Sequence, residues 1–401
     1  WNPIFNFFQF RCGMMAPTVL DICHLLGVSP IGTPITPDFP DLTVPFRLPS
    51  FTSSYSDFVR AENKKEGPVT DREFFSFLLY WLCKFLFCTS SQRIMSEFAP
   101  LAKAFVLRKR VALAPYILGH TYRACSLFCE KPLDANQGGP FWILQLWLFA
   151  YFTDLQSKCL KFSGPFSLTH GIRLANASLY PSTFSFYFSF FHQLPATPPL
   201  HYFRPFESNI GPTWLNNFLS DKLCTLPVHK EIWASLLIPR EIFIGTTNPR
   251  AYKCIAEPYC PAQFARQFGL TQGVPIPLCS NTNLSLTKRD LKVRKSRLEE
   301  ATFKSMDDLA SFEFTPISPQ GTELKRYQNW WVSNMEVYLA IPPQNLLEVL
   351  DVPKPKGAET VISSTVSITI PATTQFTSAA SIPPRVTRSM YPFFLFSNLS
   401  T

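Results

Sequence analysis

Glycine is scarce in this chain, 15 among 401 residues, and both glycine-dependent loops that cradle phosphates are missing. Neither Gly-x-x-x-x-Gly-Lys-Ser/Thr nor Gly-x-Gly-x-x-Gly occurs. Their backbone N–H groups are what holds the phosphates of ATP or a dinucleotide, so neither ligand is expected. Charge is thin as well, at 16% Asp, Glu, Lys and Arg. The adjacent acids Glu299-Glu300 and Asp307-Asp308 would diverge on a helix rather than flank a scissile bond. There is no Gly-x-Ser-x-Gly elbow and no local Cys/His signature of a nucleophile. Long apolar runs are lacking too. The longest, residues 74–87 and 141–152, contain Lys84 and Gln145 and fall short of the roughly 20 residues of a membrane-spanning helix. Both are expected as buried helices of a soluble core, with no membrane partner.

What is abundant is proline and aromatic rings. The chain has 37 Pro, 39 Phe and 46% hydrophobic residues, enough for one large or two medium cores. Rings that the core does not absorb would form a partner-binding face. Proline at this density predicts helices broken by rigid turns. The eleven Cys are an odd number, and Cys83, Cys88, Cys125, Cys129 and Cys159 fall in apolar segments, as buried thiols of a reducing compartment do. His120, Cys125 and Cys129 lie close in sequence, but structural zinc asks for four ligands, usually as two close pairs. Cys254 and Cys260 are too loosely spaced to supply the second pair. No metal and no cofactor are expected. The chain opens on Trp1 rather than Met, as a fragment or a conceptual gene product would, which leaves a targeting signal open.

Helix signals recur along the chain. Thr18 and Asp21 make a capping-box pair ahead of Val19, Ile22, Leu25 and Leu26, with Gly27 as the stop. Residues 28–57 carry too many prolines for a helix and read as an extended connection. Thr70 with Glu73 launches residues 71–88. Further helices are expected at 99–110, 115–129, after Gly138-Gly139-Pro140 on the Trp142, Leu146 and Phe149 face, at 181–194 and at 214–223. Residues 241–244 look like a strand, with room for a short pair near Glu241 to Cys254. A short helix over 262–268, capped by Gly269, follows. The last element is expected at 323–339, with Trp330, Trp331, Met335 and Tyr338 as its apolar stripe. Residues 351–401, dominated by Pro, Ser, Thr and Val, read as a disordered tail. Trp142, Trp147, Trp330 and Trp331 are expected in the core.

The net charge is +9 with pI near 9.0, which makes a polyanionic partner plausible. The sharpest basic cluster is Lys288, Arg289, Lys292, Arg294, Lys295 and Arg297, six cations in ten residues. It is either a nucleic-acid or nuclear-import patch, or a solvated helix face balanced by Glu299 and Glu300. Arg108, Lys109 and Arg110 form a smaller cluster.

The segment from Pro258 to Pro275, with Pro261, Phe264, Ala265, Arg266, Gln267, Phe268, Gly269, Gln272 and Pro275, resembles the C-terminal signature of the plant mobile domain, also called aminotransferase-like. Two further passages stand in that family's order: Gly13-Met-Met-Ala-Pro-Thr-Val-Leu-Asp-Ile-Cys-His-Leu-Leu-Gly27, and Gly139-Pro-Phe-Trp-Ile-Leu-Gln-Leu-Trp-Leu-Phe149. The resemblance implies a mainly α-helical domain over 1–345, in parts of about 1–195 and 200–345. It further implies a non-catalytic, transposon-derived nuclear protein, similar to the maintenance-of-meristems (MAIN-like) group. Such a protein would act in transposable-element silencing and meristem maintenance through a plant serine/threonine phosphatase-like partner, near chromatin. Nothing in the chain marks the Schiff-base lysine and phosphate cup of a true aminotransferase. Within the signature, Arg266 and Gln267 face a partner, or Arg266 braces a neighbouring acid while Phe264 and Phe268 pack inward. Direct nucleic-acid binding through 288–297, a degenerate transposon relic and an enzyme with a dispersed active site remain the alternatives.

Overall fold

The computed structural model describes residues 1–339 apart from 4, 37–38, 52–53, 64–66, 131–137, 163–164, 166, 181–183, 197–199, 204, 206–209, 222–225, 246–253, 275–289 and 292–322. It is mainly α-helical, with only short antiparallel strand pairings. The chain starts as a hairpin, β1 (Phe8–Phe10) with β2 (Gly13–Met15), Phe10 facing Gly13. Then Thr18 caps α1 (Val19–Leu26): its hydroxyl accepts from Asp21 N–H, the Asp21 carboxylate accepts from Thr18 N–H, and Gly27 closes the helix in the left-handed region at φ 73°. Every residue of α1 is buried, so this short helix is central rather than amphipathic.

After a largely extended connection come α2 (Tyr55–Glu62) and α3 (Asp71–Trp81), the latter with Thr70 accepting from Glu73 N–H. The helix expected over 71–88 does not stay α-helical. It widens into a π-turn at Leu82–Leu86. A 3-10 turn (Ser96–Phe98) leads into α4 (Ala99–Val106), followed by α5 (Leu113–Glu130), α6 (Phe141–Tyr151), α7 (Thr153–Cys159), and α8 (His170–Asn176). Two-residue strands β3 (Leu160–Lys161) and β4 (Ser178–Leu179) pair around α8. Next are α9 (Phe184–His192), a 3-10 turn at Leu200–Phe203, α10 (Thr213–Ser220), and α11 (Pro227–Leu237).

The expected strand is β5 (Arg240–Gly245). Its partner β6 (Cys254–Tyr259) begins where the pair was expected to end and runs into the signature, Glu241 opposite Pro258 and Ile244 opposite Ile255. Pro258 lacks an N–H for the ladder, and β6 continues through it to Tyr259. A third strand, β7 (Asp290–Leu291), adds to the other edge of β6. This sheet lies on α5, where a Cβ on Gly119 would sit 2.7 Å from Ile244 Cγ2; only the bare helix surface lets the strand in so close. The final helix is α12 (Lys325–Leu339).

One apolar core runs through α1, α3, α4, α5, α6 and the sheet, and includes Phe75, Leu82, Ile117, Tyr122, Trp147, Phe152 and Phe264. Trp147 and Trp331 are buried and Trp142 and Trp330 partly so, in line with the core role expected of all four. Met335, Tyr338 and the tail lie outside the described side chains.

Candidate functional site

The short helix expected over 262–268 is a 3-10 segment, Pro261–Phe268. Pro261 supplies no N–H, Gln263 N–H bonds Cys260 O at the shorter i→i+3 spacing, and Phe264 is kinked at φ −132°, ψ 41°. Gly269 ends it in the left-handed region at φ 74°. The kink puts consecutive polar and aromatic side chains inside: Phe264, Ala265, Arg266, Gln267 and Phe268 are all buried.

Each buried polar group of this run meets a distant part of the chain. The Gln267 amide accepts from Ala16 N–H at 2.8 Å and donates to Ala16 O at 2.8 Å. Arg266 Nη2 donates to Cys12 O at 2.8 Å, and its Nη1 pairs with Glu323 at 3.1 Å. Its guanidinium lies 4.0 Å from the Phe203 ring centre and 5.5 Å from that of Tyr327. Gln272, fully buried, donates to Ala262 O and Gly273 O, while its backbone bridges Glu323 and receives Leu324 N–H. In this way the signature docks both the β1–β2 hairpin and the start of α12, which Trp331 secures further by donating to Arg11 O at 3.3 Å.

The helices around the middle passage reach the same junction. Tyr151, at the end of α6, donates to Asp21 Oδ1 at 2.8 Å, and Tyr122 of α5 donates to Pro17 O at 2.6 Å. Asp21 is fully buried; burial raises its carboxyl to about 7, opposed by the bonds from Tyr151 and Thr18. Beside it, burial lowers His24 to about 3 and His170 to about 4, keeping both imidazoles neutral. On the far side of the hairpin Asn6 donates to buried Glu257 at 2.9 Å and to Pro258 O at 3.2 Å.

Arg266 therefore braces an acid, and Gln267 bonds the backbone; neither faces outward. Pro275 and all six cations, Lys288, Arg289, Lys292, Arg294, Lys295 and Arg297, lie outside the described residues. His120 is enclosed by the rings of Phe87, Phe98 and Tyr116. Cys125 is buried and Cys129 exposed, so they face different environments. Asn6, Cys12, Tyr151, Glu257, Glu323 and Tyr327 were not singled out from the sequence. Their partners stand up to 254 residues away, and no local spacing announces a bond of that reach.

These contacts define a mainly helical domain whose beginning, middle and end are keyed together by buried polar side chains. Residues 1–332 match the family model of the plant mobile domain, and the chain belongs to that family. Neither a curated protein nor a solved structure matches the chain.

Proposed function

We propose that this plant mobile domain works by assembly rather than catalysis, as a nuclear interaction protein in transposable-element silencing and meristem maintenance. The observation that carries this reading is the inward direction of the signature. Arg266, Gln267 and Gln272 are committed to backbone carbonyls, a backbone N–H and Glu323, and the three family passages build a scaffold. The scaffold leaves recognition to the exterior, where large rings stand in solvent: Phe85 is 36% exposed, Phe128 47% and Tyr180 50%. Exposed aromatics of this size are the side chains that anchor protein partners. The resemblance to the maintenance-of-meristems group suggests a serine/threonine phosphatase-like protein as that partner, with the basic 288–297 segment holding the complex near chromatin.

The test is affinity purification of the tagged protein from plant nuclei, with and without nuclease, alongside a variant in which the six cations of 288–297 are neutralised. A phosphatase-like protein retained after nuclease treatment is the expected result. Recovery of only nuclease-sensitive chromatin proteins, lost in the variant, would replace this reading with direct nucleic-acid binding.

A further inference from the structure

The turn between α4 and α5 carries the smaller basic run of the chain on a fixed backbone. Leu107 closes α4, and then Arg108 N–H returns to Phe105 O at 3.0 Å and Lys109 N–H to Ala104 O at 2.9 Å, the pair of bonds that ends a helix through one left-handed residue. That residue is Arg108, at φ 52°. Gly27 and Gly269 fill the left-handed stops after α1 and the signature, at φ 73° and 74°, because a Cβ is disfavoured there. An arginine thus holds a position that the backbone alone would give to glycine. The peptide after Arg110 is clamped as well. Arg110 O accepts from Thr33 N–H at 2.9 Å, Ala112 N–H donates to Thr33 O at 3.0 Å, and a Cβ on Gly32 would lie 2.8 Å from the Arg110 carbonyl carbon.

The side chains of this turn are left to solvent. Arg108, Lys109 and Arg110 are all exposed, and none of them is ion-paired among the described residues. Lys103, one turn earlier in α4, is instead buried and paired with Asp41 at 2.8 Å. One cation just past α4 is explained by the negative end of the helix dipole, which acts over the last turn. Three in a row exceed that need, and the first of them works against the backbone. Strain kept under an exposed, charged side chain marks a position held for what that side chain does.

We propose that Arg108, Lys109 and Arg110 form a contact for the phosphate backbone of a nucleic acid. Each guanidinium fork can take two oxygens of one phosphate, and Lys109 adds a point charge. The turn is already ordered, so binding costs side-chain freedom but little backbone freedom. The net charge of +9 draws a polyanion toward the surface. The three cations sit on a turn, with neither a helix nor a ribbon to enter the major groove, so the contact positions a duplex without reading its sequence. This extends the chromatin contact of the proposed function from the 288–297 segment to the folded domain, and it rests on that reading for the choice of polyanion.

Fluorescence anisotropy of the purified full chain against a labelled DNA duplex of mixed sequence, over a range of salt, reads the contact. Each phosphate neutralised contributes about 0.9 to the slope of log affinity against log salt. Replacing Arg108, Lys109 and Arg110 together by Ala should flatten that slope by about 2 to 3 with the six cations of 288–297 in place, and a duplex of unrelated sequence should behave alike. Arg108→Gly should flatten it by about 1 while raising the melting temperature, since glycine relieves the left-handed turn. Weaker binding by a more stable protein does not come from damage to the fold. A lower melting temperature for Arg108→Gly would place the arginine's role in the fold and overturn the proposal. So would an unchanged slope in the triple variant, or polyglutamate displacing the duplex as well as unlabelled DNA does, which would favour an acidic protein. If neutralising 288–297 removes all binding while the triple variant binds as the wild type does, this proposal fails and the tether through 288–297 stands. A wild type that does not bind the duplex overturns both the contact and the tether, and leaves assembly with a protein partner to its own test.

Discussion

Gln267 closes both hydrogen bonds of its side-chain amide on one residue, Ala16, which lies 251 positions earlier in the chain. The amide does what a neighbouring strand would do, offering one donor and one acceptor to an N–H and a C=O that are buried together. Arg266 does the same for Cys12 O on the next turn of the junction. The signature thus substitutes side chains for a β-ladder and lets a kinked 3-10 segment hold the hairpin without pairing to it.

Truncating Gln267 strands both groups of Ala16 away from water. Each buried, unpaired backbone group costs about 1 to 3 kcal/mol, so Gln267→Ala should lower unfolding stability by about 2 to 6 kcal/mol in a denaturant titration. Gln267→Glu keeps the acceptor for Ala16 N–H but opposes a carboxylate to Ala16 O. Its deficit should therefore shrink as the pH is lowered and the carboxyl gains a proton.

Gly13 and Arg266 should show strong coupling. Gly13 sits at φ 121°, and a Cβ there would lie 2.0 Å from Arg266 Nη2 and 2.9 Å from Tyr327 Oη. Gly13→Ala therefore forces a strained backbone, worth about 1 to 3 kcal/mol, and also displaces the guanidinium. Arg266→Ala removes the second penalty. In a double-mutant cycle by chemical denaturation the paired variant should be less destabilised than the sum of the singles by about 1 kcal/mol or more.

What the sequence disclosed was what short-range rules govern. Thr18 with Asp21, Thr70 with Glu73, and the stops at Gly27 and Gly269 follow from spacings of a few residues, and the structure has each of them. The β1–β2 hairpin was missed because three-residue strands carry no readable alternation. Helices α2, α7, α8 and α11 are too short for an apolar period to stand out, and α2 begins at Tyr55, inside the stretch expected as extended. In the sequence Lys84 is only an interruption of an apolar run, because the π-turn that holds it leaves no mark in hydropathy. The inward fate of Phe264 and Phe268 was legible from their spacing. The partners of Arg266 and Gln267 were not, because they are fixed only when residues 12–16 arrive.

Acid should destabilise the fold well before its ordinary carboxylates titrate. Burial lowers His24 and His120 to about 3 and His170 to about 4. The unfolded chain protonates these imidazoles near pH 6.5, and the folded chain does not. Their contribution is thus complete above about pH 6.5 and is lost as the pH falls toward 4. Asp21, raised to about 7, acts in the opposite sense: its contribution is complete below its unfolded value of 3.8 and is lost as the pH rises toward 7. Glu97, raised by burial, joins it. Three imidazoles outweigh the two acids, so stability should fall on acidification by about 1 to 3 kcal/mol per pH unit near pH 5.5. His120→Phe, in a pocket already lined by Phe87 and Phe98, should reduce that slope by about 1.4 kcal/mol per pH unit. Denaturant titrations between pH 4 and about 8 read the slope directly, and a slope of reversed sign would show that the acids dominate.

The cysteines report whether the junction opens as a unit. Burial raises Cys12 and Cys83 to about 12 and holds Cys23 well above the ordinary thiol range, while Cys129 is exposed. Only the thiolate alkylates, so among the described cysteines a maleimide should modify Cys129 first in the native protein, with Cys12, Cys23 and Cys83 reacting on opening. Arg266 holds Cys12 through its carbonyl at 2.8 Å, whereas Cys83 sits in the π-turn against the backbone of Met95. Arg266→Lys keeps the charge but loses the planar fork that serves Cys12 O and Glu323 together. Peptide mapping should then show faster modification of Cys12 with Cys83 unchanged, as expected for local opening of the hairpin from the signature. Equal acceleration of both would mean that the junction does not open by itself, and that the fold comes apart only as a whole when this tie is loosened.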